Sequence, residues 1–160
     1  MDDRKFRNAM GNFATGVTVI TTEVAGDVHG MTANAFMSLS IEPKLVVISI
    51  GENAHMLEII KTSQKYAVNI LSENQQELSM NFAGQIKEEK EVSFDILGGQ
   101  PVLNGALAQV TCEVVNEYVE GDHTLFIGKV TDIHLEDLEP LVFFKGKYRS
   151  LQPVKKAMNV

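Results

Sequence analysis

Val17-Thr18-Val19-Ile20-Thr21-Thr22, the run from His29 to Ser40, and Leu45-Val46-Val47-Ile48-Ser49-Ile50 decide the fold. The first is built of β-branched residues and the third is apolar and largely β-branched, and only short turns separate the three, Gly26-Asp27 and Glu42-Pro43 among them. Strands that follow one another so directly leave no room for the helical crossover that a parallel sheet needs, so their neighbours must run antiparallel. The third run is almost continuously apolar and predicts a strand buried on both faces.

Working outward, Phe6, Ala9, Met10 and Phe13 recur at i, i+3, i+4, i+7. That spacing predicts a helix over residues 3–13, capped by Asp2 or Asp3 and ended by Gly16. A second short helix follows the third strand, with Met56, Leu57, Ile59 and Ile60 on one side and Asn53 as its cap. A strand from Tyr66 to Leu71 leads to a third helix, opened by the capping-box pattern Ser72-Glu73-Asn74-Gln75 and burying Leu78 and Phe82. Periodicity dissolves between Gly84 and Gly99, where Lys87-Glu88-Glu89-Lys90-Glu91 reads as a solvated loop or fraying helix end. Strands over residues 108–119 and 124–135, joined by Glu120-Gly121-Asp122, and a last strand from Leu141 to Phe144 complete the chain before the tail Lys145-Gly146-Lys147-Tyr148-Arg149. The expected class is mainly β with peripheral helices (α+β): an antiparallel, Greek-key-like barrel whose closure removes the exposed edges of its apolar strands.

The 160 residues are 44% hydrophobic and 22% charged, which predicts one domain over 1–160 with a real core. A net charge of -7, from 14 Lys+Arg against 21 Asp+Glu, opposes binding to a phosphate backbone, so no nucleic-acid partner is expected. No apolar run is long enough to span a bilayer, and Met1-Asp2-Asp3-Arg4 does not read as a signal peptide, so no membrane partner and a cytoplasmic setting are expected. The single Cys112 excludes an internal disulfide, and His29, His55, His123 and His134 lack metal-ligand spacing, so no metal is expected.

Familiar catalytic motifs are missing. Gly11 and Gly16 are spaced like a P-loop, but Val17-Thr18 stands where Lys-Ser/Thr is required. No GxGxxG follows a strand, and Ser49 lacks the first glycine of a nucleophile elbow. Three polar segments within strand sequence remain. In Gly30-Met31-Thr32-Ala33-Asn34-Ala35-Phe36, small Ala33 and Ala35 allow a flat ligand to approach, while Thr32 and Asn34 offer donors and acceptors; the alternative is an ordinary bulged strand. In Ser49-Ile50-Gly51-Glu52-Asn53-Ala54-His55 a strand passes into a helix whose free N–H groups suit a phosphate; the alternative is a plain capped helix. Gly121-Asp122-His123-Thr124 is either a turn with an exposed histidine or an imidazole at a cavity mouth.

Taken together with Phe13-Ala14-Thr15-Gly16-Val17-Thr18-Val19-Ile20-Thr21, Tyr66-Ala67-Val68-Asn69-Ile70-Leu71, Phe82-Ala83-Gly84, Pro101-Val102-Leu103-Asn104-Gly105 and Gly146-Lys147-Tyr148-Arg149, these segments resemble the flavin reductase-like family of FMN-binding split-barrel proteins, in the family's order and over about nine-tenths of the chain. The resemblance implies an NAD(P)H:flavin oxidoreductase, a homodimer of split β-barrels that passes a hydride from NADH or NADPH to FMN, with FAD as the alternative, and hands reduced flavin to an acceptor such as a monooxygenase. It implies that Met31, Thr32, Ala33, Asn34 and Ala35 line the isoalloxazine and that Ser49 and Gly51 follow the ribityl–phosphate arm. It further implies that His55 lies near the phosphate, that Asn81 and Phe82 reach the cofactor from a second loop, and that His123, with Tyr148 and Arg149, stands at the nicotinamide position. Hydride transfer asks little acid–base chemistry of the protein, so His123 is expected to orient the nicotinamide or close its site. A flavin-binding electron carrier reduced by a protein partner and a non-enzymatic split-barrel module are the alternatives.

Overall fold

The computed structural model describes residues 2–86 and 90–155, so Lys87-Glu88-Glu89 of the charged run lies outside the described residues. Helix α1 (Asp3–Met10) is capped by Asp2, whose carboxylate accepts from the Arg4 N–H at 3.0 Å. It is shorter than its apolar periodicity predicts. Asn12 and Phe13 donate to Ala9 and Met10, three residues back, tightening the chain into a turn after Gly11. Gly16, expected to end the helix, instead belongs to a two-residue strand, β1 (Thr15–Gly16).

The strands β2 (Thr18–Val24), β3 (Asp27–Ala33), β4 (Phe36–Ser40) and β5 (Leu45–Gly51) then follow in succession. Helix α2 (Met56–Ser63) and β6 (Lys65–Ile70) precede a 3₁₀ turn (Glu73–Gln75) that runs into α3 (Gln76–Phe82). A small hairpin, β7 (Asp95–Leu97) and β8 (Gln100–Val102), occupies part of the stretch where no element was expected. Two long strands, β9 (Ala108–Glu120) and β10 (His123–Leu135), and the short β11 (Val142–Phe144) and β12 (Lys147–Arg149) finish the chain.

Seven strands form one sheet in the order β3-β2-β6-β9-β10-β5-β4, every neighbouring pair antiparallel. The two edge strands, β3 and β4, are consecutive in the chain and separated only by Asn34 and Ala35. The sheet therefore curls into an antiparallel barrel that is split at this junction, as the strand order predicted. Ile20, Ile48, Ile50, Tyr66, Val68, Cys112 and Phe126 fill the interior, and α2 closes it with Met56, Leu57 and Ile60. Burial raises the Cys112 thiol to about 12 and pushes the Tyr66 phenol up as well, so both stay neutral inside the barrel.

The strand buried on both faces is β2, with Thr18 to Thr22 all buried, and not β5. On β5 burial alternates: Val46, Ile48 and Ile50 face inward, while Leu45, Val47 and Ser49 are only half-buried. The difference lies in what covers each outer face. Over β2 a second apolar cluster forms from Val17, Val19, Leu71, Leu103 and Leu141, whereas the outer face of β5 is left open along a cleft. Likewise α3 buries Ser79 fully while Leu78 and Phe82 are only half-buried, because its inner side rests on polar as well as apolar groups.

A polar clasp holds β8 against the outer face of β2 and β6. The fully buried Asn69 amide donates to Val19 O (2.9 Å) and Thr21 Oγ1 (3.0 Å), and its oxygen accepts from Leu103 N–H (2.8 Å). Replacing Asn69 with alanine leaves those backbone groups buried and unpaired and opens a void, so urea denaturation should read a loss of about 3 kcal/mol. A loss well under 1 kcal/mol would mean that the clasp contributes nothing to stability.

Candidate functional site

The outer face of β5 and β10 floors a cleft of about 760 Å³. Its walls are the turn and strand after α1 (Met10, Phe13, Thr15, Gly16) and the β3–β4 junction (Asn34 to Met37); Val47, Ser49 and Leu125 lie on the floor. The physical origin is the split itself. The Asn34–Ala35 connection pulls the chain from one edge strand to the other and leaves backbone exposed there, fastened by the Ser49 N–H to Ala35 O bond at 3.1 Å.

Strand register places His123 beside this cleft. Leu125 pairs with Ser49 and His123 with Gly51, so the two rungs share the outer face, one pleat period of roughly 7 Å apart. Residue 123 begins β10 directly after the two-residue turn Gly121–Asp122, where Gly121 takes φ 61° as a tight hairpin demands. His123 Nδ1 donates to the Asp122 carboxylate at 2.8 Å, and that bond holds the Asp122 carboxyl below the usual range. The pair fixes the imidazole with Nε2 turned toward Gly51. The Glu52 N–H bonds to Asp122 O at 2.9 Å, joining the two loops that frame the position.

The remaining expected residues are spread over several places. Asn34, Ala35 and Ser49 line the cleft. Along β3 the two-residue period sends Met31 and Ala33 inward against the barrel core, while Thr32 turns outward and donates to Ser79 O at 2.6 Å. Phe82 lies over Gly30, where an added Cβ would fall 2.5 Å from its ring, and tilts against Phe94. Asn81 is engaged with the backbone of Lys90, donating to its O and accepting from its N–H, beside a separate cavity of about 280 Å³. His55 occupies the first position before α2 with no side-chain cap bond, and its ring meets His29 edge-on at 5.7 Å; Asn53, expected as the cap, lies within the preceding turn. Tyr148 bonds Ser79, and Arg149 borders a shallow polar hollow with Glu73 and Asn74.

Met10, Phe13, Thr15, Met37 and Leu125 were not singled out as site residues. Exposed apolar groups such as Phe13 and Met37 were the available signal, but exposure is legible only once the helix and strand ends are known. Among the described residues no group of three or more His, Cys, Asp or Glu gathers as a metal site, and no helix is long and apolar enough to cross a membrane.

An apolar cleft with few polar groups beside a fixed imidazole suits a flat aromatic ligand. Comparison with known proteins is specific. Residues 10–152 match the family described as "Flavin reductase like domain". The chain belongs to this family. Within the family, an "NADH-dependent flavin reductase" of Rhodococcus is 44% identical over 91% of this chain and 85% of its own length. A reductase component of 4-hydroxyphenylacetate 3-monooxygenase from Thermus thermophilus is 38% identical, covering 91% of this chain and 95% of its own. The solved structure of flavin reductase PheA2 superposes with a TM-score of 0.95 at 66% identity, covering 96% of this chain and all (100%) of the other. The NADH:FAD oxidoreductase SgcE6 of Streptomyces globisporus, solved with NAD and FAD fragments, gives a TM-score of 0.89 at 32% identity over 97% of this chain and 96% of its own.

Proposed function

We propose that the cleft between residues 10–16 and the outer face of β5 and β10 holds a flavin, and that a nicotinamide docks at its His123 end. The activity is that of an NAD(P)H:flavin oxidoreductase supplying reduced flavin to a downstream monooxygenase. The observation that carries this is the cleft itself: about 760 Å³, apolar at Met10, Phe13, Met37 and Leu125, and polar at Thr15, Asn34 and Ser49. The Thr15 hydroxyl oxygen is buried there with no hydrogen-bond partner among the described residues, as expected of a wall shaped for a ligand as well as for packing. The residues present therefore fit a flat ring with one polar edge.

When bound, a flavin supplies the electron sink into which NAD(P)H delivers its hydride, leaving NAD(P)⁺. What the chain does is position. Asn34 and the exposed backbone at Ala35 would hold the ring's polar edge, and Ser49 and Gly51 would hold the ribityl–phosphate arm. Asp122 stays ionised, holds His123 by Nδ1 and leaves Nε2 free to orient the nicotinamide. Holding the two rings together at this end of the cleft would be the chain's contribution to the rate.

The same reading takes residues 1–160 as one domain and the active form as a homodimer in a reducing, cytoplasmic setting. Exposed apolar Phe13 and Met37 on the cleft wall, with exposed Leu39 and Ile41 following Met37 in the chain, support a second copy covering it, and the buried free Cys112 suits a reducing compartment.

The test is anaerobic: purified protein with one equivalent of FMN or FAD is mixed with NADH, then with NADPH, and flavin absorbance is followed. Rapid bleaching with one flavin–nicotinamide pair is expected and names the preferred pair. Flavin that stays bound and yellow with both donors would refute the oxidoreductase reading.

A further inference from the structure

Three elements far apart in sequence meet at one buried serine. Thr32 Oγ1, on β3, donates to the Ser79 carbonyl at 2.6 Å. Ser79 Oγ, on α3, shares a 2.8 Å hydrogen bond with the Tyr148 hydroxyl on β12. Ser79 is 0% exposed, so no ligand reaches it, and the Tyr148 ring is seated edge-on against Phe143 with centroids 5.4 Å apart.

Register shows what this chain holds in place. Tyr148 pairs with Phe143 on β11, and Phe143 pairs with Thr15 on β1, so Tyr148, Phe143 and Thr15 stand on one rung of the small sheet. Thr15 is a wall of the cleft. On the other side, Thr32 precedes Asn34 and Ala35, the opposite wall, by two and three residues. The small sheet is built from pieces of two and three residues, whose few ladder bonds hold it weakly, so its position depends on what it is fastened to.

We propose that the Thr32–Ser79–Tyr148 chain is a positioning device that sets the width of the flavin cleft by locking the β1 wall to the β3–β4 wall, and that Tyr148 acts through Ser79 and Thr15 instead of touching the nicotinamide. The proposal rests on the cleft being the flavin seat. Because the Tyr148 hydroxyl is engaged with a buried partner, its loss is felt at the wall before it is felt by a second substrate.

Tyr148→Phe keeps the ring on Phe143 and removes only the hydroxyl, and Ser79→Ala removes the other half of the same bond. Each variant should raise the flavin Kd, read by quenching of flavin fluorescence, about fivefold. The double variant should be no weaker than either single one, since both delete one shared interaction. The KM for NADH at saturating flavin should change less than twofold. Thr32→Ser should retain wild-type affinity, whereas Thr32→Val should lose it to the same degree. Amide exchange in flavin-free protein gives a separate reading: residues 76–82 should exchange faster in Tyr148→Phe than in wild type. Unchanged exchange would overturn the lock. Faster exchange with unchanged flavin Kd would leave the lock standing but remove the flavin from this cleft, and with it the proposal. A raised KM for NADH in Tyr148→Phe, absent from Ser79→Ala, would return Tyr148 to the nicotinamide.

Discussion

Replacing His123 with alanine should slow NADH-dependent flavin reduction by roughly 10- to 100-fold in kcat/KM, about 1.4 to 2.7 kcal/mol of transition-state stabilisation. The flavin Kd should stay near wild type, because His123 stands two rungs beyond Ser49 and Leu125 and is not among the cleft's lining residues. The reason for a large but not total loss is that hydride transfer needs alignment more than proton transfer, so a histidine that only orients its neighbour can be removed without abolishing chemistry. Asp122→Asn should fall between wild type and His123→Ala. It keeps a hydrogen-bonding group 2.8 Å from Nδ1 but removes the ionised acceptor that fixes which nitrogen carries the proton. Stopped-flow reduction with saturating flavin separates the two steps. Wild-type reduction by the His123→Ala protein would take the histidine out of the site.

The largest stability loss should come from Gly128→Ala. An added Cβ would lie 2.2 Å from the Tyr66 hydroxyl oxygen, 2.7 Å from its Cζ and 2.8 Å from Cys112 Cβ. Tyr66 and Cys112 are both 0% exposed, and the phenol is held by its hydrogen bond to Phe126 O at 3.3 Å, so the ring has no empty space to enter. Gly128 also follows a register shift in the β9–β10 ladder, which lets the backbone bend toward the ring. Overpacking at such a point should cost about 3 kcal/mol or more, read as a lower urea midpoint with the slope unchanged. Adding Tyr66→Phe should recover roughly 1 kcal/mol by removing the atom nearest the new methyl, while the contact with Cζ persists. Full stability in Gly128→Ala would mean the barrel wall yields there, and that the close approach is not what requires glycine.

Patterns that depend on neighbours in sequence were legible. Asp2 caps α1 as its position suggested, and the Gln75 side chain accepts from Ser72 N–H at 3.1 Å as the capping-box spacing implied. The ends of β9 and β10 fall within a residue of expectation, because Gly121-Asp122 punctuates two long β-rich runs. Three-residue strands were not legible. The Gly98–Gly99 turn, with φ of 54° and 77°, does carry a hairpin signal, but Pro101 within the following run and the short pairing hid β7 and β8. Nothing local makes Lys147-Tyr148-Arg149 extended, so its sequence reads as a tail; pairing with β11 makes it strand β12. The α1 periodicity continued to Phe13, yet Phe13 is 79% exposed, because a stripe of apolar residues does not reveal whether its own chain will cover it.

By itself the sequence determined the longer elements, their antiparallel succession, the family resemblance and the segments proposed here to hold a flavin. Each of these follows from local propensity, turn chemistry or the order of motifs along the chain. Tertiary structure alone decided which face of each segment meets the cleft. It turned Thr32 outward to Ser79 and Met31 and Ala33 inward, engaged Asn81 with Lys90, left the outer face of β5 open, and placed His123 beside Gly51. The physical reason is that a strand shows alternate residues to opposite sides, and only the packed neighbours on each side determine whether that side becomes core, clasp or cleft.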